Sequence, residues 1–223
     1  MTKKLFIQAI FKFLFGLVLI ALLLFLPAGT LRYWNAWLLI GILFVPMFFA
    51  GIVLMLRNPE LLKKRLNAKE QEDEQKAVIA LSGIMFLAAF IVAGLNFRFG
   101  WIVMPRWTVI VAACVFLLAY LMYAEVLREN VYLSRTVEVQ EHQQVIDTGL
   151  YGVVRHPMYA ATVFLFLSMG LVLVSPISFV ILLCYLPIIA KRIRNEEAVL
   201  TQGLDGYQAY TEKVRYKVIP FLW

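Results

Sequence analysis

Hydrophobic positions in this chain run in long unbroken stretches, and polar positions gather in short clusters between them. Six apolar segments stand out: 5–26, 34–56, 77–95, 107–127, 159–174 and 177–190. A helix needs ~20 apolar residues to cross a bilayer core, and the first four segments have the length. The last two are short and are separated only by Ser175-Pro176. Proline is well placed in the first turn of a new helix, so this pair reads as a helical hairpin that crosses only by tilting or by thinning the bilayer. Continuous apolar runs exclude the alternating strands of a β-barrel. The pattern predicts an all-α, polytopic helical membrane protein with five to six transmembrane helices. It forms one integral-membrane domain, 1–223. Four helices lie in 1–127, and 128–223 holds the hairpin 159–190 and C-terminal helices on the cytoplasmic side.

Composition agrees, with 62% hydrophobic and 16% charged residues, against ~25% charged in soluble domains. Alternate connections, counted from the N-terminus, hold 18 Lys and Arg; the opposite connections hold 3, at Arg32, Arg98 and Arg106. By the positive-inside rule both termini face the cytoplasm. The same asymmetry accounts for the net charge of +7 without a nucleic-acid partner, and the basic side can attract anionic headgroups. The first segment is longer than a signal-peptide core and is read as retained. Cys114 and Cys184 lie inside spans, with no spacing for a metal or a disulfide, and are expected to be small core residues.

The connections add detail. In 57–76, Asn58 is placed to cap a short helix begun by Pro59. Leu61, Leu62 and Leu66 would give that helix an apolar edge beside Lys63, Lys64 and Arg65, as in an interfacial helix on the headgroups. The acidic patch Glu70, Glu72, Asp73 and Glu74 reads as a solvated linker. Tyr33, Trp34, Trp37, Trp101 and Trp107 fit an interfacial belt. Val137, Val139, Val145 and Ile146 partly alternate, which predicts a short extended segment before the turn Asp147-Thr148-Gly149. Beyond Lys191 a helix continues from the hairpin. Gly203 and Gly206 bracket a turn, Tyr207, Tyr210 and Val214 recur at helical spacing, and 220–223 form an apolar tail suited to the bilayer interface.

The candidate chemistry lies in two clusters that frame the hairpin. One is GLYGVVRHPMY, 149–159; the other is Arg194-Asn195-Glu196-Glu197. Pro157 opens a helix whose free N–H groups favour an anion, with Arg155 and His156 at its mouth. On a helix Arg192 faces Glu196 and Arg194 faces Glu197. Both clusters belong to the cytoplasmic end, so they can converge on one ligand. Tyr151 and Tyr159 add ring faces and hydroxyls. No Gly-x-Gly occurs anywhere, which argues against a Rossmann site. Any nucleotide must be held by side chains and helix ends.

The motif GLYGVVRHPMY, an apolar hairpin, then RNEEAVL and GLDGYQAYTEKVRYKVIP resembles the isoprenylcysteine carboxyl methyltransferase family and is similar to the related phospholipid N-methyltransferases. The resemblance covers 145–223, and NPELLKKRL after the second span is similar to prokaryotic relatives, implying a prokaryotic inner membrane. It implies an S-adenosylmethionine-dependent methyltransferase at the cytoplasmic membrane surface, with a lipidic or small hydrophobic acceptor, a carboxylate of isoprenylcysteine type favoured, and no metal. The residues matching the family's cofactor pocket are Arg155, His156, Pro157, Tyr159, Glu196 and Glu197, with Tyr207 and Tyr210 in its C-terminal lid region; Tyr151 is a further cofactor-binding candidate from its ring and hydroxyl. Glu197 is a catalytic candidate, and Arg194 is the candidate cation for steering the nucleophile. Ala161 stands where the family commonly has Gly. The alternative enzyme reading is an integral-membrane sterol or enoyl reductase using NADPH, which resembles the same C-terminal region; an amine or thiol acceptor is the alternative substrate.

Overall fold

The computed structural model describes residues 3–66, 73–134 and 136–223. The expected acidic linker at Glu70 and Glu72, with the side chains of Asp73 and Glu74, lies outside them. The order of elements is α1 (Lys3–Ala28), α2 (Trp34–Arg57), α3 (Pro59–Leu66), α4 (Asp73–Phe99), α5 (Arg106–Glu129), a 3-10 turn (Gly149–Gly152), α6 (Pro157–Val172), α7 (Pro176–Leu183), α8 (Tyr185–Gly203) and α9 (Tyr207–Lys213). Among the described residues no strand forms. Five helical stretches are long and apolar enough to cross a membrane, the last being Pro176–Gly203, while Pro157–Val172 is shorter. The spans also turn apolar side chains outward, among them Leu14, Val18, Leu22 and Leu26 on α1 and Ile110, Leu118 and Leu121 on α5. So large an exposed apolar band fits lipid, not water.

The hairpin forms the centre of the bundle. α6 packs most extensively on α5 and also against α7, while α4 contacts α1, α7 and α8. Gly170 permits the close approach of α6 and α7, since an added methyl would come within 2.6 Å of the Phe179 backbone nitrogen. α6 stops at Val172, and its last carbonyls lack intrahelical partners. Buried polar side chains from α2 and α4 supply them. Asn35 Nδ2 donates to Val172 O at 2.9 Å, and Tyr33 Oη donates to Leu173 O at 2.5 Å. Asn96 Nδ2 reaches Val174 O at 2.9 Å. Ser175 then caps α7 by accepting from Ser178 N, with Pro176 in the first turn.

Three expectations need correction. The segment 177–190 is not one helix: it breaks at Cys184, because Pro187 has no N–H and its ring crowds the carbonyl four residues back, at Leu183. Cys114 and Cys184 are exposed on outer faces of the bundle and are not core residues. The alternating segment 137–146 pairs with no strand among the described residues, and Val139 and Val145 pack against the small cluster of Leu204, Tyr207, Tyr210 and Val214. Asn58 does cap α3, its Oδ1 accepting from Leu61 N at 3.1 Å, but Leu61 and Leu62 are buried in protein. The cations beside them tie down the 130–146 loop: Lys64 donates to Gln140 Oε1 at 2.5 Å, and Arg65 to Ser134 O at 3.3 Å and to the Tyr123 hydroxyl.

Candidate active site

The two clusters meet. His156 caps α6 with a non-helical backbone, and Pro157 follows at the first helical position, as proline's fixed φ favours. The backbone before it is held by the C-terminal segment. Arg155 N donates to Tyr216 O at 2.9 Å and His156 N to Lys217 O at 2.8 Å. This pairing aims the Arg155 and His156 side chains at α8, where consecutive glutamates receive them.

Glu197 is the inner hub. Its Oε1 lies 3.1 Å from Arg155 Nε and 3.3 Å from His156 Nε2, and its Oε2 accepts from Lys217 Nζ at 2.5 Å. Glu196 is the outer hub. Its Oε1 lies 3.8 Å from His156 Nδ1, and its Oε2 accepts from the Tyr159 hydroxyl. That hydroxyl in turn accepts from Arg192 Nε at 2.9 Å. Arg192 also donates to Gln75 Oε1 at 3.1 Å, so a side chain of α4 enters the site. The imidazole therefore has a carboxylate near each ring nitrogen and the Tyr159 ring alongside, with centroids 5.6 Å apart. Interlocked charges of this kind in a poorly hydrated setting hold each other's geometry.

Tyr151 is fixed from two directions. Asn130 Nδ2 donates to its hydroxyl at 2.9 Å, and its carbonyl accepts from Tyr210 Oη at 2.8 Å. The turn carrying it is braced by Glu129, which accepts from Thr148 Oγ1 at 2.9 Å and Leu150 N at 3.2 Å. Gly149 has φ +50°, and any side chain there would fall onto that carboxylate. Burial raises the phenols of Tyr151, Tyr207 and Tyr210; for Tyr207 the neighbouring Glu197 and Glu196 charges raise it further. All three stay neutral donors through physiological pH.

An open cavity occupies this region, with about 100 Å³ of accessible room inside it. Arg155, His156, Tyr159, Arg192 and Glu196 line one side and Tyr151, Tyr207 and Tyr210 a second. Polar residues of 130–144 and apolar Val145, Ile146, Met158, Leu200 and Leu204 complete it. Tyr207 Oη is buried with no hydrogen-bond partner among the described residues. An orphaned hydroxyl on a cavity wall is a place for a ligand acceptor.

Of the residues singled out in the sequence, Tyr151, Arg155, His156, Tyr159, Glu196, Tyr207 and Tyr210 border the cavity. Pro157 is buried behind it. Glu197 stands behind the lining, occupied by three cationic or imidazole partners. Arg194 is not brought in: it is exposed and its Nε donates to Ala190 O of its own helix at 3.3 Å. Arg192, two residues earlier on α8, borders the cavity. Ala161 is fully buried in α6. Lys217, Gln75 and Asn130 were not foreseen. Lys217 sits within the matched C-terminal motif, and its charge among apolar neighbours was the available signal; Gln75 and Asn130 had none.

The stretch that supplies α5 through α8 carries the likeness to known proteins. The model of the isoprenylcysteine carboxyl methyltransferase family matches residues 107–202. This part of the chain resembles the isoprenylcysteine carboxyl methyltransferase family. The fold extends the likeness: the structure is similar to that of the eukaryotic intramembrane Ras methyltransferase ICMT, solved without a monobody. The TM-score is 0.58 at 17% identity, covering 93% of this chain and 74% of that one. No curated protein sequence matches the chain. The family model and the solved structure both liken this chain to isoprenylcysteine carboxyl methyltransferases, and five of its helical stretches are long and apolar enough to cross a membrane.

Proposed function

We propose that this protein is an S-adenosylmethionine-dependent methyltransferase of the cytoplasmic membrane surface, acting on a lipidic or hydrophobic carboxylate. The observation that carries the proposal is the meeting of Arg155 and His156 with Glu196 and Glu197 over a cavity whose wall holds an unpartnered hydroxyl. The donor is zwitterionic, with ribose hydroxyls and an adenine. The residues fit it: Arg155 and the first turn of α6 suit its carboxylate, Glu196 its ammonium, and the Tyr207 hydroxyl and nearby tyrosine rings its nucleoside part. Bound there, it supplies an electrophilic methyl group.

The remaining work falls to alignment, which can lower a barrier by several kcal/mol. A carboxylate acceptor is already ionised at neutral pH and needs no base. It needs a cation that holds it without capturing it permanently. Arg192 borders the cavity and is itself steadied by Tyr159 and Gln75, so it replaces Arg194 as the steering residue. Glu197 serves as a positioning residue that fixes Arg155 and His156. The apolar stretch at Met158 and Leu200 suits the lipid part of an acceptor.

The test is methyl transfer from radiolabelled donor into total membrane lipid extract, with chemical identification of the product. A base-labile methyl ester is expected. A base-stable methylated amine or thioether would move the acceptor to the alternative class, and NADPH oxidation without methyl transfer would favour the reductase reading.

A further inference from the structure

Among the described residues the acidic side chains gather at the cavity's end of the bundle; the connections at the other end carry Arg32, Arg98 and Arg106 with no Asp or Glu. At that second end, on the outer surface between α1 and the start of α2, runs an apolar groove of about 560 Å³. It follows α1 from Leu17 to Leu26, a rise of about 14 Å at 1.5 Å per residue. That is close to one leaflet, half of the ~30 Å hydrocarbon core. Trp37 forms one wall and is fixed there: its indole nitrogen donates to Leu31 O at 2.9 Å and its ring lies 4.7 Å from that of Phe25.

At the mouth of the groove α1 ends in Gly29, with φ +68°, and the Arg98 guanidinium of α4 lies 3.6 Å from where a side chain at Gly29 would begin. Arg98 is exposed, rests against the Phe99 ring at 5.5 Å and makes no ion pair or hydrogen bond among the described residues. Thr30 Oγ1 borders the same mouth and accepts from Arg32 N at 3.1 Å, which leaves its hydroxyl proton to donate.

We infer that this groove binds one anionic phospholipid of the leaflet away from the cavity, an acyl chain lying along α1 and the phosphate held by Arg98. A guanidinium at a membrane interface favours a phosphate, which it meets with two parallel N–H donors. A second copy of the chain is a poorer occupant, because its matching end has no carboxylate to pair with Arg98. The inference stands apart from the methyl-transfer reading.

The test uses the full chain in digalactosyl diacylglycerol vesicles, a phosphate-free background, titrated with dibrominated phosphatidylglycerol. Quenching at Trp37 is isolated by subtracting the signal of Trp37→Phe. Phosphatidylglycerol is expected to compete for the groove about fivefold better than the glycolipid. Arg98→Gln should bring the ratio near one, Arg98→Lys should leave it between, and inorganic phosphate should not restore Trp37 emission. A ratio of one in the wild type, a ratio untouched by Arg98→Gln, displacement by inorganic phosphate, or a Trp37 shielded from every brominated lipid by a second copy would each overturn the inference.

Discussion

Tyr207 carries a buried hydroxyl on the cavity wall that has no partner among the described residues, so Tyr207→Phe separates stability from binding. Removing an unsatisfied buried hydroxyl should leave the empty protein equally stable or firmer by about 1 kcal/mol, read as an unchanged or raised melting temperature in detergent. The same change should weaken S-adenosylhomocysteine by about 5- to 10-fold, the worth of one hydrogen bond; equal affinity would remove Tyr207 from the donor site. Its phenol, with those of Tyr151 and Tyr210, is raised by burial. A raised folded-state value means that the folded form holds its proton longer than the unfolded chain. Stability from these groups is therefore fully present below the ordinary tyrosine value of ~10 and is lost as pH rises above it. Melting temperatures should be level from pH 7 to 9 and fall beyond pH 10, less steeply in Tyr207→Phe. For the two arginines of α8, Arg192→Gln should cut kcat/KM by about 100-fold, as for a lost charge-assisted contact. Arg194→Gln should stay within about threefold of wild type, since it meets only a backbone carbonyl of its own helix. The reverse order would restore Arg194 to the role that the sequence assigned it. Helical spacing offered Glu197 as a partner for Arg194, but Glu197 pairs instead with Arg155, His156 and Lys217, because spacing alone does not say which side of α8 faces the cavity.

Among the elements, α6 depends on the partners found at its end. Asn96 serves both Val174 O and the Ile102 backbone, and Asn96→Leu would strand these groups in an apolar setting. A loss of about 1–3 kcal/mol is expected, measured as a lower melting temperature; no change would mean that water or lipid serves those carbonyls. The hairpin itself was legible because prolines mark its boundaries: Pro157 opens α6 and Pro176 opens α7. The break at Cys184 was written in Pro187, yet an apolar run hides a proline when hydropathy alone is read. The same blindness misplaced α3. Three leucines beside three cations look identical whether they rest on headgroups or on protein. Only the fold supplies Gln140, Ser134 and Tyr123 as partners for the cations. At 137–146 the alternation recorded one buried side of an irregular segment packed under α9; alternation reports burial, and pairing needs a second strand.

For the whole molecule, long apolar runs were enough to define an all-helical membrane bundle, because a bilayer leaves helices as the plain solution for such segments. The assembly of the site was legible in part. Two polar clusters at one end of a hairpin had to meet, and His156 does lie 3.3 Å from Glu197 across 41 positions of sequence. The contributions of Gln75 from α4 and Lys217 from the C-terminal segment depend on how distant elements pack, which local pattern does not encode. Lys217→Ala leaves Glu197 with fewer cations and frees the segment that holds the Arg155 and His156 backbone. It should weaken donor binding about tenfold, or ~1.4 kcal/mol, while Lys217→Arg restores most of it. The central claim, that these distant groups form one pocket for a methyl donor, is tested most directly by calorimetric titration of S-adenosylhomocysteine into the purified protein. The account predicts saturable one-to-one binding that His156→Ala and Glu196→Ala abolish and Arg194→Gln preserves. Absence of binding in the folded wild type, or unchanged affinity in both the His156 and Glu196 variants, would contradict it.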